Sequence, residues 1–111
     1  MTQIVKNNTI TTLINVFTVT PENQQRLVDE LVKATEAVIN KFPGFISANI
    51  HKSLDGTHVV NYAQWRSQKD YEAMLANPDV IPHLRQAAGI ATSFEPLLYE
   101  VMSVEEAPHE R

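Results

Sequence analysis

An α+β fold in the order β-α-β-β-α-β, built on a four-stranded antiparallel sheet, is predicted for this chain by three observations. Residues 10–19, 45–53, 57–65 and 94–103 are rich in β-branched and aromatic side chains, the composition of strands. Residues 22–42 and 67–89 carry apolar side chains at three- and four-residue intervals, the period of amphipathic helices. Between the second and third strands stands Asp55-Gly56, a strong hairpin signal.

The first strand, ITTLINVFTV, sends Leu13, Asn15, Phe17 and Val19 to one face and Ile14, Val16 and Thr18 to the other, because side chains alternate along a strand. Thr20 is the expected N-cap of the first helix, with Pro21 in its first turn. Leu27, Leu31, Ala34, Val38 and Phe42 form the inward stripe of that helix, and Pro43-Gly44 ends it. FISANIHKS and THVVNYAQW then pair as an antiparallel hairpin. Ser67 caps a short helix, with Asp70 as a weaker partner in a capping box, and Tyr71, Met74 and Leu75 face inward. Asn77-Pro78 interrupts it. VIPHLRQAAG gives a further helical piece closed by Gly89. Pro96 confines the last strand, FEPLLYEVMS, to an edge or a bulged start.

This order is the ferredoxin-like arrangement, with both helical segments on one face of the sheet. Apolar residues occur at both parities in the first three strands, so the second face also needs cover. A second copy would supply it, at about 25 cal/mol per Å² of apolar area buried. The expectation is a homodimer with facing sheets, a dimeric α/β barrel. One domain spans 1–111, with its core in 10–102 and a polar tail in 103–111.

Composition removes several function classes. The hydrophobic fraction of 43% is too high for a disordered chain. No apolar run approaches the roughly 20 residues of a membrane span, and MTQIVKNNTITTL lacks the basic start and apolar stretch of a signal peptide. A cytoplasmic location is the default, and no membrane partner is expected. The absence of cysteine excludes thiolate nucleophiles, disulfides and cysteine-ligated metals. His51, His58, His83 and His109 lack metal-ligand spacing, so no metal site is expected. A net charge of -4 without a Lys/Arg cluster gives no footprint for nucleic acid. The three glycines fall at turns or caps and form no phosphate loop.

The strand VVNYAQW carries the chemistry. Val59, Asn61, Ala63 and Trp65 share one face, Val60, Tyr62, Gln64 and Arg66 the other. Asn61 and Trp65 therefore look the same way, roughly 13 Å apart, with the small Ala63 between them. Unpaired buried polar groups cost about 1–3 kcal/mol each, so either the structure or a ligand satisfies them. Asn15, Tyr71 and Arg85 are placed to reach the same space between helices and sheet. Individually each has a plainer reading: a satisfied amide, core aromatics, and solvated surface groups in Arg85 and His83. His51 depends on the hairpin. A two-residue Asp55-Gly56 turn pairs Ile50 with Asn61 and sends His51 to the opposite face, whereas a three-residue turn with a bulge pairs Asn49 with Asn61 and brings His51 round.

PGFISANIHKSLDGT, VVNYAQW and RSQKDYEAM together resemble the antibiotic biosynthesis monooxygenase family, in particular its anthrone oxygenases. The resemblance covers most of 10–102 and is most specific from Gly44 to Tyr71. It implies oxygenation of an aromatic small molecule by O₂ without any cofactor, in a homodimer with one cavity per subunit between sheet and helices. A polycyclic phenolic substrate of anthrone or quinol type would lose a proton, reduce O₂ from its own carbanion and become a quinone. The resemblance assigns catalysis to Asn61, Trp65, Tyr71 and Arg85, and substrate binding to Asn15 and His51. Two other readings compete. A haem-degrading oxygenase of this fold would use Asn15, Trp65 and His83, and a small-molecule-binding dimer would need no turnover at all.

Overall fold

The first strand, β1 (Thr11–Thr18), organises the sheet because it is paired on both edges. It runs antiparallel to β3 (His58–Trp65) from Thr11↔Trp65 to Thr18↔His58, and antiparallel to β4 (Ser93–Tyr99) on its other side. The hairpin partner β2 (Phe45–Lys52) completes the order β2-β3-β1-β4. This is the expected ferredoxin-like topology. The computed structural model describes residues 2–6 and 9–108, so His109 and the end of the polar tail lie outside it. Among the described residues no helix is long and apolar enough to cross a membrane.

Three helices pack on the inner face: α1 (Gln24–Ala37), α2 (Gln68–Leu75) and α3 (Ile81–Ile90). The core between them and the sheet has two parts. Leu13, Ala63 and Trp65 gather with Tyr71, Met74 and Val80; Phe17, Val19 and Val59 gather with Leu27 and Ala87. Between the Leu13↔Ala63 and Phe17↔Val59 rungs lies Asn15↔Asn61. A polar rung thus divides the apolar face.

Local chemistry accounts for where elements start and stop. The helix expected over 22–42 is three pieces: a 3₁₀ turn at Pro21–Asn23, α1, and a second 3₁₀ turn at Ile39–Lys41. The break falls at Val38, whose φ of -135° leaves the helical region. Thr20 does not cap with its side chain; its hydroxyl accepts from the Asn23 amide at 3.1 Å. Ser67 caps as expected, its Oγ accepting from the Asp70 N–H at 3.1 Å. The Asp70 carboxylate turns to Arg66, at 2.8 and 3.0 Å, and takes the Ser67 hydroxyl at 2.9 Å. Gly89 does not close α3, which continues to Ile90 and stops where the Thr92 N–H bonds Thr18 O at 2.8 Å on β1. β4 ends at Tyr99, short of the expected 103, and Pro96 sits on this edge strand opposite Asn15.

The hairpin settles the two registers left open by the sequence. Ile50 faces Asn61 and His51 faces Val60, the pairing expected of the Asp55-Gly56 alternative, although the loop that delivers it runs from Ser53 to His58 and its turn brackets Leu54 and Asp55. The Gly56 N–H bonds Ser53 O at 3.2 Å, with φ of +83° at the glycine, a value glycine alone adopts at little cost. Asp55 Oδ1 accepts from the Ser53 hydroxyl (2.7 Å), the Thr57 hydroxyl (2.7 Å) and the Thr57 N–H (3.0 Å). Gln24 ties this end to α1, donating to Ser53 O at 2.9 Å and His58 O at 3.0 Å.

The three hydrogen bonds that Asp55 accepts, first among them that from the Thr57 hydroxyl, lower its carboxyl from the usual 3.8 to about 2. Because the folded value lies below the unfolded one, the turn's contribution is complete above about pH 4 and lost as pH falls towards 2. Asp55→Asn should flatten that part of the stability–pH curve, read as urea midpoints. An unchanged acid limb would place the acid sensitivity elsewhere.

Candidate active site

The two faces of β3 treat their polar residues differently. On the outer face Gln64, buried at 2% exposure, is fully engaged: its Oε1 accepts from the Ser47 hydroxyl at 2.8 Å and its Nε2 donates to Gln3 O at 2.7 Å. Asn49 donates to Tyr62 O at 2.9 Å on the same face. These groups hold the sheet and the N-terminal segment together. On the inner face, Oδ1 of Asn61 and Oδ1 of Asn15 are buried without a hydrogen-bond partner.

Asn61 opens onto a cavity of about 70 Å³ between the sheet and the helices. Its sheet wall includes Leu13, Asn61, Ala63 and Trp65; its helical wall includes Tyr71, Met74, His83 and Leu84. The indole of Trp65 is 1% exposed and fixed edge-on between two rings, Phe45 at 5.5 Å and 86° and Tyr71 at 6.0 Å and 62°. Burial raises the Tyr71 phenol above its ordinary range, so it stays protonated at neutral pH. A third polar atom on this side, Nδ1 of His83, is also buried without a partner, as is the Thr12 hydroxyl on the outer face.

Asn61, Trp65 and Tyr71 therefore meet at one cavity, with Asn15 beside Asn61 as its cross-strand neighbour. Arg85 and His51 do not. Arg85 was placed by its spacing between helices and sheet, but α3 turns His83, Leu84 and Ala87 inward, and a residue about 100° round the helix from Leu84 points elsewhere. It is exposed and lines an open apolar groove of about 320 Å³ with Phe17, Ile81 and Phe94. Leu75 and Leu84 border both groove and cavity. His51 is exposed on the outer face, its Nδ1 3.1 Å from Asn49 O, because the hairpin register turns it away. His83 is the residue that spacing alone left on the surface. The signal for it was the inward phase of Leu84 and Ala87.

Lone acceptor atoms at the ends of apolar walls suit a flat, mostly apolar ligand that brings its own donors, such as phenolic hydroxyls. Fold and cavity together define a ferredoxin-like domain with a small-molecule pocket between helices and sheet. Residues 10–89 match the antibiotic biosynthesis monooxygenase family model, and the chain belongs to that family. It is 49% identical over 90 residues to the tetracenomycin-F1 monooxygenase of Streptomyces glaucescens, covering 81% of this chain and 80% of that protein. The ActVA-Orf6 monooxygenase of Streptomyces coelicolor, solved in complex with nanaomycin D, superimposes with a TM-score of 0.77 at 25% identity, over 89% of this chain and 92% of that one. SnoaB, a cofactor-independent oxygenase from Streptomyces nogalater, shares the fold with a TM-score of 0.76 at 21% identity, over 86% and 96% of the two chains. This protein is accordingly a monooxygenase, an oxidoreductase.

A buried amide oxygen left without a partner lowers the stability of the free protein. Asn61→Leu, which keeps the branching at Cγ and has the cavity to take its extra bulk, should raise the free energy of unfolding by about 1 kcal/mol while abolishing turnover. A loss of stability of that size would make the amide a structural group.

Proposed function

We propose that this protein is a cofactor-independent monooxygenase that converts a polycyclic phenol of anthrone or quinol type into a quinone. The observation that carries the reading is the unpaired Asn61 oxygen in the wall of an apolar cavity that Trp65 also lines. The likeness to the tetracenomycin-F1 monooxygenase, at 49% identity, supports the substrate class.

In this reaction the substrate supplies the electrons. Loss of one proton gives an anion delocalised over its rings, and that anion passes one electron to O₂. The radical and superoxide recombine to form a C–O bond, and the peroxide takes up a proton. Loss of water then breaks the O–O bond and the remaining C–H bond, so CH₂ and O₂ become C=O and H₂O. Asn61, supported by Asn15, accepts a substrate hydroxyl. The Trp65 N–H and the Tyr71 hydroxyl donate towards oxygens that gain negative charge, where fixed donors act most strongly.

A tricyclic ligand needs about 300 Å³ or more, which exceeds the 70 Å³ between the walls. The substrate occupies this cavity together with the adjoining groove when Leu75 and Leu84 rotate aside. The active unit is a homodimer. Val16, Leu97 and Tyr99, at 38%, 48% and 45% exposure on the outer face of one chain, are the apolar surface that a second copy would cover.

The test is oxygen uptake with dithranol as substrate, on chelator-treated protein whose mass is read by light scattering as it leaves a sizing column. We expect a dimer that forms quinone above the spontaneous rate, and Trp65→Phe slower in kcat by about a hundredfold. Arg85→Gln should act on KM through the groove and leave kcat unchanged, because the guanidinium lies outside the cavity that holds the reacting atoms. Trp65→Phe kinetics equal to those of the parent would remove the indole from the mechanism. No quinone, with a Soret shift on adding haem, would turn the assignment to haem degradation through His83.

A further inference from the structure

Two polar residues in the cavity wall have no role above: Thr35, whose hydroxyl already donates to Leu31 O at 2.8 Å, and His83. His83 lies in the first turn of α3, its N–H bonded to Val80 O at 3.0 Å, so it belongs to the helical wall, across from Asn61 on the sheet wall. Its Nδ1 is buried and has no hydrogen-bond partner. In the neutral tautomer with hydrogen on Nε2, this atom is a free lone pair.

The proposed oxygenation begins with a proton leaving the substrate, and the wall offers few groups to receive it. No Asp, Glu, Lys or Arg lines the cavity. Amides such as Asn61 and the indole of Trp65 do not take up protons in this range, and the Tyr71 phenol already holds its own. An imidazole is the side chain that accepts and returns a proton near neutral pH.

We infer that His83 is the general base of this site, its Nδ1 taking the proton from the CH₂ carbon of the bound anthrone-type substrate. One C–H bond breaks, an N–H bond forms at Nδ1, and the electron pair stays on the substrate as the ring-delocalised anion that O₂ then oxidises. The imidazolium and the anion form as a pair, which offsets the burial of both charges. When the peroxide is protonated the proton returns from Nδ1, and the histidine ends the cycle neutral. This inference rests on the oxygenase reading above.

Proton transfer is separable from oxygenation if O₂ is withheld. Full-length protein mixed anaerobically with dithranol in a stopped-flow instrument should develop the absorbance of the dithranol anion. His83→Asn keeps an amide near the position of Nδ1 but cannot hold a proton. It should bind the quinone product with unchanged affinity yet form the anion about a hundredfold or more slowly. In the parent protein, ¹⁵N spectra should show Nδ1 of His83 passing from unprotonated to protonated as dithranol binds without O₂, a readout independent of whether the variant folds well. Anion formation at the parent rate in His83→Asn, or an Nδ1 that stays unprotonated while the anion appears, would overturn the assignment and leave the oxygenase intact. A parent protein that forms neither anion nor quinone would remove both.

Discussion

The structure turns on one cross-strand rung, Asn15 opposite Asn61. The rungs next to it on the inner face, Leu13↔Ala63 and Phe17↔Val59, are apolar, and the two hydrophobic clusters lie on either side of it. Asn61 is then held in the wall of the cavity, above which the helices leave room. Sliding β3 by one residue would carry Asn61 to the outer face and bring Tyr62 and Gln64 inward. The loop from Ser53 to His58, the Gln24 bonds to Ser53 O and His58 O, and the Gln64 bonds on the outer face all resist that slip. Much of the polar bonding in this small domain serves to hold one amide in place.

The contrast between the faces gives the site its energetics. Outer-face amides meet partners and tie elements together, as buried polar groups ordinarily do. On the inner face, unpaired oxygens on Asn15 and Asn61 and an unpaired nitrogen on His83 face an apolar surround. Leaving each of them unbonded costs about 1–3 kcal/mol, a substantial fraction of a domain's net stability. Nearby, Trp65 is fixed by Phe45 and Tyr71, so the indole need not be ordered when a ligand arrives. Stability is thus given up at the unpaired polar atoms and retained in the packed rings beside them.

Alternation made the strand chemistry legible: a period of two puts Asn61 and Trp65 on one face whatever the tertiary context. The Ser67 cap and the topology were legible for similar reasons, since both rest on short-range spacing. Helical phase was not. Between Asn77-Pro78 and Pro82 the chain restarts its helix, and nothing in the periodicity carries a phase across that break. Arg85 was therefore placed in the cavity and His83 outside it, the reverse of what α3 does. His51 followed the hairpin register, which the side chains of Ser53, Asp55 and Thr57 decide by closing around the turn. Gly89 looked like a stop signal, but α3 ends where Thr92 is anchored to β1, a contact distant in sequence.

We propose that the unpaired Asn61 oxygen serves to accept a hydroxyl of an aromatic ligand. Calorimetric binding of 2,6-dihydroxyanthraquinone and of unsubstituted anthraquinone, to the parent and to Asn61→Leu, isolates that hydrogen bond from the apolar contacts the ligands share. The parent should prefer the dihydroxy compound by about tenfold or more, and the preference should disappear in Asn61→Leu. A preference of equal size in both proteins would contradict this role of Asn61.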